Sequence, residues 1–324
     1  MSKCLGCGAV LQDENVNLDG YTSDLNNRYC KRCFDITHYN KYLLSNKSNE
    51  EYLKKIDLIR KTNDLVILTV SLFEMIDFSS LNISNPVILV FTKKDLIPRS
   101  IKERKILDNI NSNLNIKAKL FISSKNNYNL DLLMDLINKY KVSKNVYLVG
   151  LTNAGKSSLI NKIVKNYSKA SGDITVSNLP STTLDFIEKK INSDLVLIDT
   201  PGLLDDGNII NVIPDYIKKI VPSKEVNPII YQIKCKQSIV IEDFLRIDLF
   251  DVNNIIFYVS NNLNFGRIYK DSDKLRNLKK YDLDILDNQD LVIKGLGFIN
   301  FKKKCNINLY LYDGVKFFIR NSII

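Results

Sequence analysis

A chain of 324 residues with 45% hydrophobic and 25% charged residues carries enough apolar material for two or three separately cored units, which excludes a disordered chain. Its longest apolar run, residues 65–73, is too short to cross a bilayer. The opening MSKCLGCG is neither a signal segment nor an arginine-rich presequence, so a cytoplasmic protein with no membrane partner is expected. The net charge of +10 invites a polyanionic partner such as RNA, although a composition crowded with Lys, Asn and Ile lifts the charge by itself.

Residues 1–44 are polar and turn-rich, too few to fold on an apolar core alone, so a staple is expected. Four of the six cysteines form two pairs, Cys4-x-x-Cys7 and Cys30-x-x-Cys33, separated by twenty-two residues. Four thiolates satisfy tetrahedral Zn²⁺ completely and leave no open position, so a structural zinc module is expected, with redox dithiols the alternative. His38, the single histidine, is read as a packing or helix-end residue rather than a ligand.

From 45 to 208 the pattern alternates. A helix is expected over 51–61 and a strand over 65–70. A buried strand over 86–91 leads into Thr92-Lys93-Lys94-Asp95. A helix over 101–113 and a strand over 119–122 end on Ser123-Ser124-Lys125. A helix over 130–140, a strand over 145–149, a glycine loop and a helix from Lys156 follow, then strands over 186–191 and 195–198. Short apolar strands alternating with helices indicate a mostly parallel α/β sheet. From 209 to 324 strand-like runs dominate (228–233, 238–241, 254–259, 291–293 and 307–311), with one charged helical stretch over 273–281 and no evident internal repeat. A separate α+β domain is expected there, with Cys235 and Cys305 as buried thiols.

The loop Gly150-Leu151-Thr152-Asn153-Ala154-Gly155-Lys156-Ser157 fits G-x-x-x-x-G-K-[ST] in the strand-to-helix context it requires. Its backbone N–H groups, with those of Ala154, Gly155 and Ser158, are suited to cradle phosphates. Lys156 is suited to neutralise them, and the Ser157 hydroxyl to ligate Mg²⁺. Asp199-Thr200-Pro201-Gly202 ends a buried strand, placing an acid for Mg²⁺ and the Gly202 N–H for a γ-phosphate; alone it is also an ordinary strand-end turn. In Pro180-Ser181-Thr182-Thr183, Thr183 is a second candidate Mg²⁺ ligand, unless the segment is a plain polar loop. Asp95 is placed to accept from the N1 and N2 donors of guanine, which adenine lacks in that arrangement. Thr92 and Lys93 flank it, with the Lys93 stem suited to lie along the base. Ser123, Ser124 and Lys125 offer backbone N–H groups to guanine O6.

These segments are similar to the five GTPase motifs, but the base-reading pair comes first. Together with the paired cysteines, they make the chain resemble the YqeH family of circularly permuted GTPases, which act in assembly of the small ribosomal subunit. Gly295-Leu296-Gly297-Phe298 and Arg246-Ile247-Asp248 resemble that family's C-terminal domain. The resemblance implies a P-loop GTPase domain with permuted motif order, a zinc module before it and an α+β domain after it. It implies GTP/GDP, Mg²⁺ and Zn²⁺ as ligands and the small subunit or its RNA as partner. Lys156, Asn153, Thr183 and Gly202 are the expected catalytic set. Asn153 stands where K⁺-stimulated relatives hold potassium, unless it is only a turn residue. Leu203 stands where Ras-like enzymes carry a water-orienting glutamine, which implies slow unaided hydrolysis. The family often shows Pro-Gly-Thr-Thr where this chain has Pro180-Ser181-Thr182-Thr183, and glycines where Glu242-Asp243-Phe244 stands. The rival reading is a GTP-dependent switch whose flanking domains bind protein without touching RNA. A dead nucleotide site is disfavoured because Lys156, Ser157, Asp199 and Asp95 are all intact. Because the chain leaves the sheet just after Gly202, nucleotide state is expected to reposition the C-terminal domain.

Overall fold

The computed structural model describes the chain except residues 1, 3, 5–8, 17, 19, 32–33, 35–55, 75–82, 111, 152–153, 169–185, 201, 203–206 and 270–271. Six strands form the first sheet: β1 (Leu65–Ser71), β2 (Val87–Thr92), β3 (Ile116–Phe121), β4 (Asn145–Gly150), β5 (Ile187–Asn192) and β6 (Leu195–Asp199). Their spatial order is β3-β2-β1-β4-β6-β5; every neighbouring pair is parallel except β5 with β6. β1, β2 and β4 read as unbroken apolar runs because both faces of the sheet are covered. Leu65, Ile67, Ile88 and Val90 pack against Leu133, Ile137, Leu159 and Ile163 of two helices, α2 (Leu130–Tyr140) and α3 (Lys156–Tyr167). Val66, Leu68, Val87, Leu89 and Phe91 face the other way, onto a helical turn at 56–60 and Ile106 of α1 (Glu103–Asn109). The helix expected at 51–61 is described only from 56.

The second half is two five-stranded antiparallel sheets. They are built from β7 (Ile229–Ile233), β8 (Gln237–Ile241), β9 (Leu245–Leu249), β10 (Asn253–Val259), β11 (Phe265–Ile268), β12 (Lys279–Ile285), β13 (Gln289–Ile293), β14 (Gly297–Phe301), β15 (Cys305–Leu311) and β16 (Phe317–Asn321). The orders are β16-β13-β14-β10-β7 and β11-β8-β9-β15-β12. Ile239, Ile247 and Leu249 of the second sheet meet Ile255, Phe257, Leu291 and Ile299 of the first, so the unit is a sandwich. Among the described residues, helix there is confined to short turns at Ile209–Val212, Pro214–Tyr216 and Ile217–Ile220. The helix expected over 273–281 is turns followed by β12. Its lysines and aspartates suggested a solvated helix face, but Tyr281, Leu283 and Ile285 alternate with them at the period of a strand. Cys235 also departs from expectation: it is exposed in a turn, while Cys305 is buried.

The sandwich contains a repeat that the sequence pattern did not reveal. Adding 52 to each residue number maps β7–β11 onto β12–β16, with every pairing kept. Gln237 opposite Leu249 becomes Gln289 opposite Phe301, Phe265 opposite Ile241 becomes Phe317 opposite Ile293, and Ile307 opposite Leu249 becomes Ile255 opposite Phe301 as the halves exchange roles. Gln237, Val240, Ile241, Ile247, Asn254, Ile255, Tyr258 and Phe265 recur at that spacing. Each half lends two strands to the other's sheet, giving a pseudo-two-fold sandwich.

The outer face of the β13-β14-β10 sheet, through Tyr258, Val292 and Phe298, joins the core beneath β1 and β2. The backbone N–H of Val226 donates to Leu96 O (2.9 Å), and Lys316 N donates to Gly207 O (2.9 Å). At Gly207 (φ +85) a Cβ would fall 2.3 Å from Lys316 Cγ, so this approach requires glycine.

Candidate functional site

β4 ends at Gly150, whose φ is +155 and where a Cβ would sit 2.4 Å from Thr69 O; only glycine lets the loop leave the sheet beside β1. Gly155, left-handed, is the N-cap of α3. Lys156 is buried, its Nζ donating to Gly150 O (2.9 Å) and Leu151 O (2.7 Å), so the ammonium curls over its own loop. Ala154 is buried, and Ser157 and Ser158 are exposed at the helix mouth. Residues 152–153, with the candidate Asn153, lie outside the described residues.

Ser157 Oγ donates to Asp199 Oδ2 (3.1 Å). Asp199 Oδ1 is shut off from solvent and has no hydrogen-bond partner. Burial pushes the Asp199 carboxyl above the usual carboxylate range, opposed by Lys156, by the Ser157 bond and by Lys189 on β5. Burial in turn lowers Lys189, and the Asp199 charge opposes it. A buried carboxylate oxygen without a donor, beside a hydroxyl, is a hard-oxygen set suited to Mg²⁺. Thr200 Oγ1 donates to Leu148 O (2.6 Å), fixing the strand exit against β4. Gly202 is half-buried just beyond it, and Thr183 is outside the described residues.

β2 delivers Thr92, which is buried and donates Oγ1 to Ala154 O (2.8 Å) across to the phosphate loop. Lys93 then turns left-handed (φ 58), an uncommon state for a lysine that re-aims the chain into a short helical turn bearing Asp95. Lys94 N donates to Ile122 O (3.0 Å), and buried Ser123 donates Oγ to Asp95 Oδ1 (2.7 Å). The Asp95 turn and the Ser123-Ser124-Lys125 loop are therefore one assembly, with Ser124 half-buried and Lys125 exposed. β2 and β4 flank β1, which at ordinary strand spacing sets their carboxyl ends about 10 Å apart, a span one nucleotide bridges.

Sequence reasoning missed three contributors. Tyr128 OH donates to Glu103 Oε1 (3.1 Å) while Lys94 Nζ lies 3.3 Å from the same carboxylate, clamping both base-side loops. Lys189 lies beside Asp199; its signal was the alternation Ile187, Lys189, Ile191, which places it on an inward face. The Thr92 bond had no signal in sequence, because the spacing of the two motifs does not reveal it.

At the front of the chain, Cys4 and Cys30 are buried together with Leu11, and Cys30 N donates to Cys4 Sγ (3.1 Å). One cysteine of each pair is thus brought to the same spot, as four-thiolate coordination requires. Cys7, Cys33 and His38 lie outside the described residues. Among the described residues no group of three metal-ligating side chains is present.

The sheet order decides how the motifs assemble. The base-side strands β1 to β3 come first in the chain but lie beside phosphate-loop strand β4, while β6 and β5 flank its other edge. The sequence matches the RsgA GTPase family over residues 72–207, a span holding both base-side loops, the phosphate loop and Asp199. In sequence the chain is similar to the circularly permuted GTPases. This GTPase binds guanine nucleotide and hydrolyses GTP. It also matches a family described as 50S ribosome-binding GTPase over residues 145–289, beginning on β4 and running on into the sandwich. It is 28% identical to the uncharacterized protein YqeH of Bacillus subtilis over 99% of both chains. It is 27% identical to NO-associated protein 1 of Arabidopsis thaliana, covering 63% of this chain and 44% of that one. With the tRNA modification GTPase MnmE of Borreliella burgdorferi the identity is 31%, covering 63% and 41%. No helix among the described residues of the GTPase is long and apolar enough to cross a membrane.

Proposed function

We propose that this GTPase acts in assembly of the small ribosomal subunit, binding RNA or ribonucleoprotein through the domains flanking its nucleotide site. The observation that carries the reading is the match to a YqeH protein along the whole chain, flanking regions included. A net charge of +10 and a family description that names binding to the 50S ribosome support a ribonucleoprotein partner, though not the choice of subunit.

Within the site, Asp95 accepts from the guanine edge while Ser123 holds its carboxylate in place. Lys93 covers the base, and the N–H groups of Ser124 and Lys125 face O6. The backbone from Ala154 to Ser158 wraps the phosphates, and Lys156 swings from its loop carbonyls onto them. Ser157 and Asp199, with Thr183 from its closing loop, are the oxygen donors for Mg²⁺, which supplies positive charge to the phosphate oxygens when bound. Gly202 N–H meets the terminal phosphate. With Leu203 in place of a water-orienting side chain, hydrolysis relies on positioning and is slow without an activator; K⁺ beside Asn153 is one source of added charge. Cys4, Cys7, Cys30 and Cys33 hold structural Zn²⁺.

The test is GTP turnover with and without purified small subunits, beside the Lys156→Ala variant. Stimulation by subunits that the variant lacks is the expected result. Turnover indifferent to subunits, with salt-insensitive capture of protein alone, favours the RNA-free switch.

A further inference from the structure

Four turns, each carrying the chain from one sheet to the other, meet at one end of the sandwich: residues 234–236 and 250–252 from the first repeat, 286–288 and 302–304 from the second. They are stitched together across the pseudo-two-fold axis. Asn253 Nδ2 donates to Lys303 O (2.7 Å) and Lys303 N donates to Asn253 Oδ1 (3.1 Å), while within the second repeat Lys304 N donates to Asp287 Oδ1 (2.5 Å). Asn306 N donates to Asp251 Oδ2 (3.1 Å). The tip's two carboxylates, both on exposed residues, thus each accept from a backbone N–H group. Lys234, Lys236, Lys302, Lys303 and Lys304 are exposed around them. Phe250, Val252 and Leu286 are exposed among the lysines, and Lys236 Nζ sits 5.5 Å from the centre of the Phe250 ring.

The duplication supplies an internal control. The same turn is built from Phe250-Asp251-Val252 in one half and Lys302-Lys303-Lys304 in the other. The backbone therefore does not demand lysine at 302–304, and a purely structural reason for three adjacent like charges is absent.

We infer that this cluster of turns at the sandwich tip is the surface on which the GTPase docks the phosphate backbone of RNA, with Phe250 as a platform for an unpaired base. Clustered lysines neutralise phosphates, and an aromatic face beside a cation stacks bases without sequence preference. A lipid surface fits less well. Asp251 and Asp287 sit beside the apolar residues on the same turns, so inserting Phe250, Val252 or Leu286 into hydrocarbon would drag carboxylates in with them. The inference rests on the RNA-binding reading above and gives it a location.

The experiment uses the full chain in its GDP-bound state, with transcribed small-subunit ribosomal RNA as probe. Wild type is compared with Lys302→Gln/Lys303→Gln/Lys304→Gln and with Phe250→Ser, over salt from about 50 to 200 mM. The expected result is a salt-steep wild-type affinity. The triple variant should bind about 10- to 100-fold more weakly at physiological salt, with a slope shallower by about 2 to 3, because each lysine removed leaves one phosphate with its counterion. Phe250→Ser should weaken binding with the slope kept. Basal GTP hydrolysis should be unchanged in both, which reports intact folding. If wild type binds RNA steeply and the triple variant binds equally well, the tip is overturned while the RNA reading stands. If wild type binds no RNA but is captured by phosphatidylglycerol vesicles, both are overturned.

Discussion

Thr92 Oγ1 lies 2.8 Å from the carbonyl oxygen of Ala154, so the strand that delivers the base-side turn is bonded directly to the phosphate loop. Both groups are buried, and the bond ties together the two loops proposed to form one nucleotide site. Thr92→Val keeps the shape and leaves the Ala154 carbonyl unpaired. It should cost about 1–2 kcal/mol in urea unfolding and raise the KM for GTP about 10-fold, with kcat nearly kept. An unchanged KM would show that the two loops are spaced by the sheet alone.

Asp95→Asn exchanges one acceptor oxygen for a donor facing the guanine N1 and N2 hydrogens. Preference should move from guanine toward xanthine nucleotides, whose edge presents an acceptor there. Competition between GTP and XTP for a fluorescent analogue reads it directly; a variant still selective for GTP by several orders of magnitude would mean Asp95 does not touch the base.

Burial raises Asp199, so its folded value lies above its unfolded one. The folded chain then holds an extra proton between the ordinary carboxylate value and the raised one. The resulting stability cost is fully present above the raised value and vanishes as pH falls toward the ordinary one. Lowering pH should therefore stabilise the nucleotide-free protein relative to Asp199→Asn, while its Mg²⁺-dependent GTP binding falls. Asp199→Asn should raise the Tm at neutral pH and lower hydrolysis by about 10²-fold or more. Parallel melting and binding curves against pH would expose the opposite trends.

Thiol titration should separate the cysteines. Exposed Cys235 reacts at once in the native protein. Cys305, which burial pushes up to about 11, reacts only on unfolding. The four paired cysteines should stay silent until a chelator removes Zn²⁺, and then appear together. Their immediate reaction without chelator would sink the zinc assignment.

Arg246 is almost wholly buried and donates Nε to Asp248 (2.7 Å) and Nη1 to the carbonyls of Ser272 and Lys274. Arg246→Leu strands the Asp248 carboxylate and should cost about 3–5 kcal/mol, much of it recovered in Arg246→Leu/Asp248→Leu. Denaturant unfolding of the single and double variants decides whether the pair, or its separate packing, holds the sandwich.

Much of the nucleotide half was legible because its signals are local. Leu130, Leu133, Met134 and Ile137 repeat at helical spacing, and α2 spans the residues expected. β1, β2 and β4 are unbroken apolar runs ending at the motif loops. The sandwich was harder to read. β9 alternates as Leu245-Arg246-Ile247-Asp248-Leu249, the pattern of a strand with one solvent face, yet it buries Arg246 and Asp248 as well, and β14 opens on Gly297. The repeat escaped notice because its identical residues are few and scattered, whereas the pairing register repeats throughout. Buried ion pairs and partner choice are tertiary facts, and no window of sequence contains them.

Gly207 is seated against Lys316 five residues after Gly202 (207 − 202 = 5). Five extended residues reach at most about 17 Å. That is the whole leash between the backbone proposed to meet the terminal phosphate and the body of the sandwich. A partner that drew the sandwich farther than this would pull the chain at Gly202 taut, so a mechanical load on the far domain is also a load on the nucleotide.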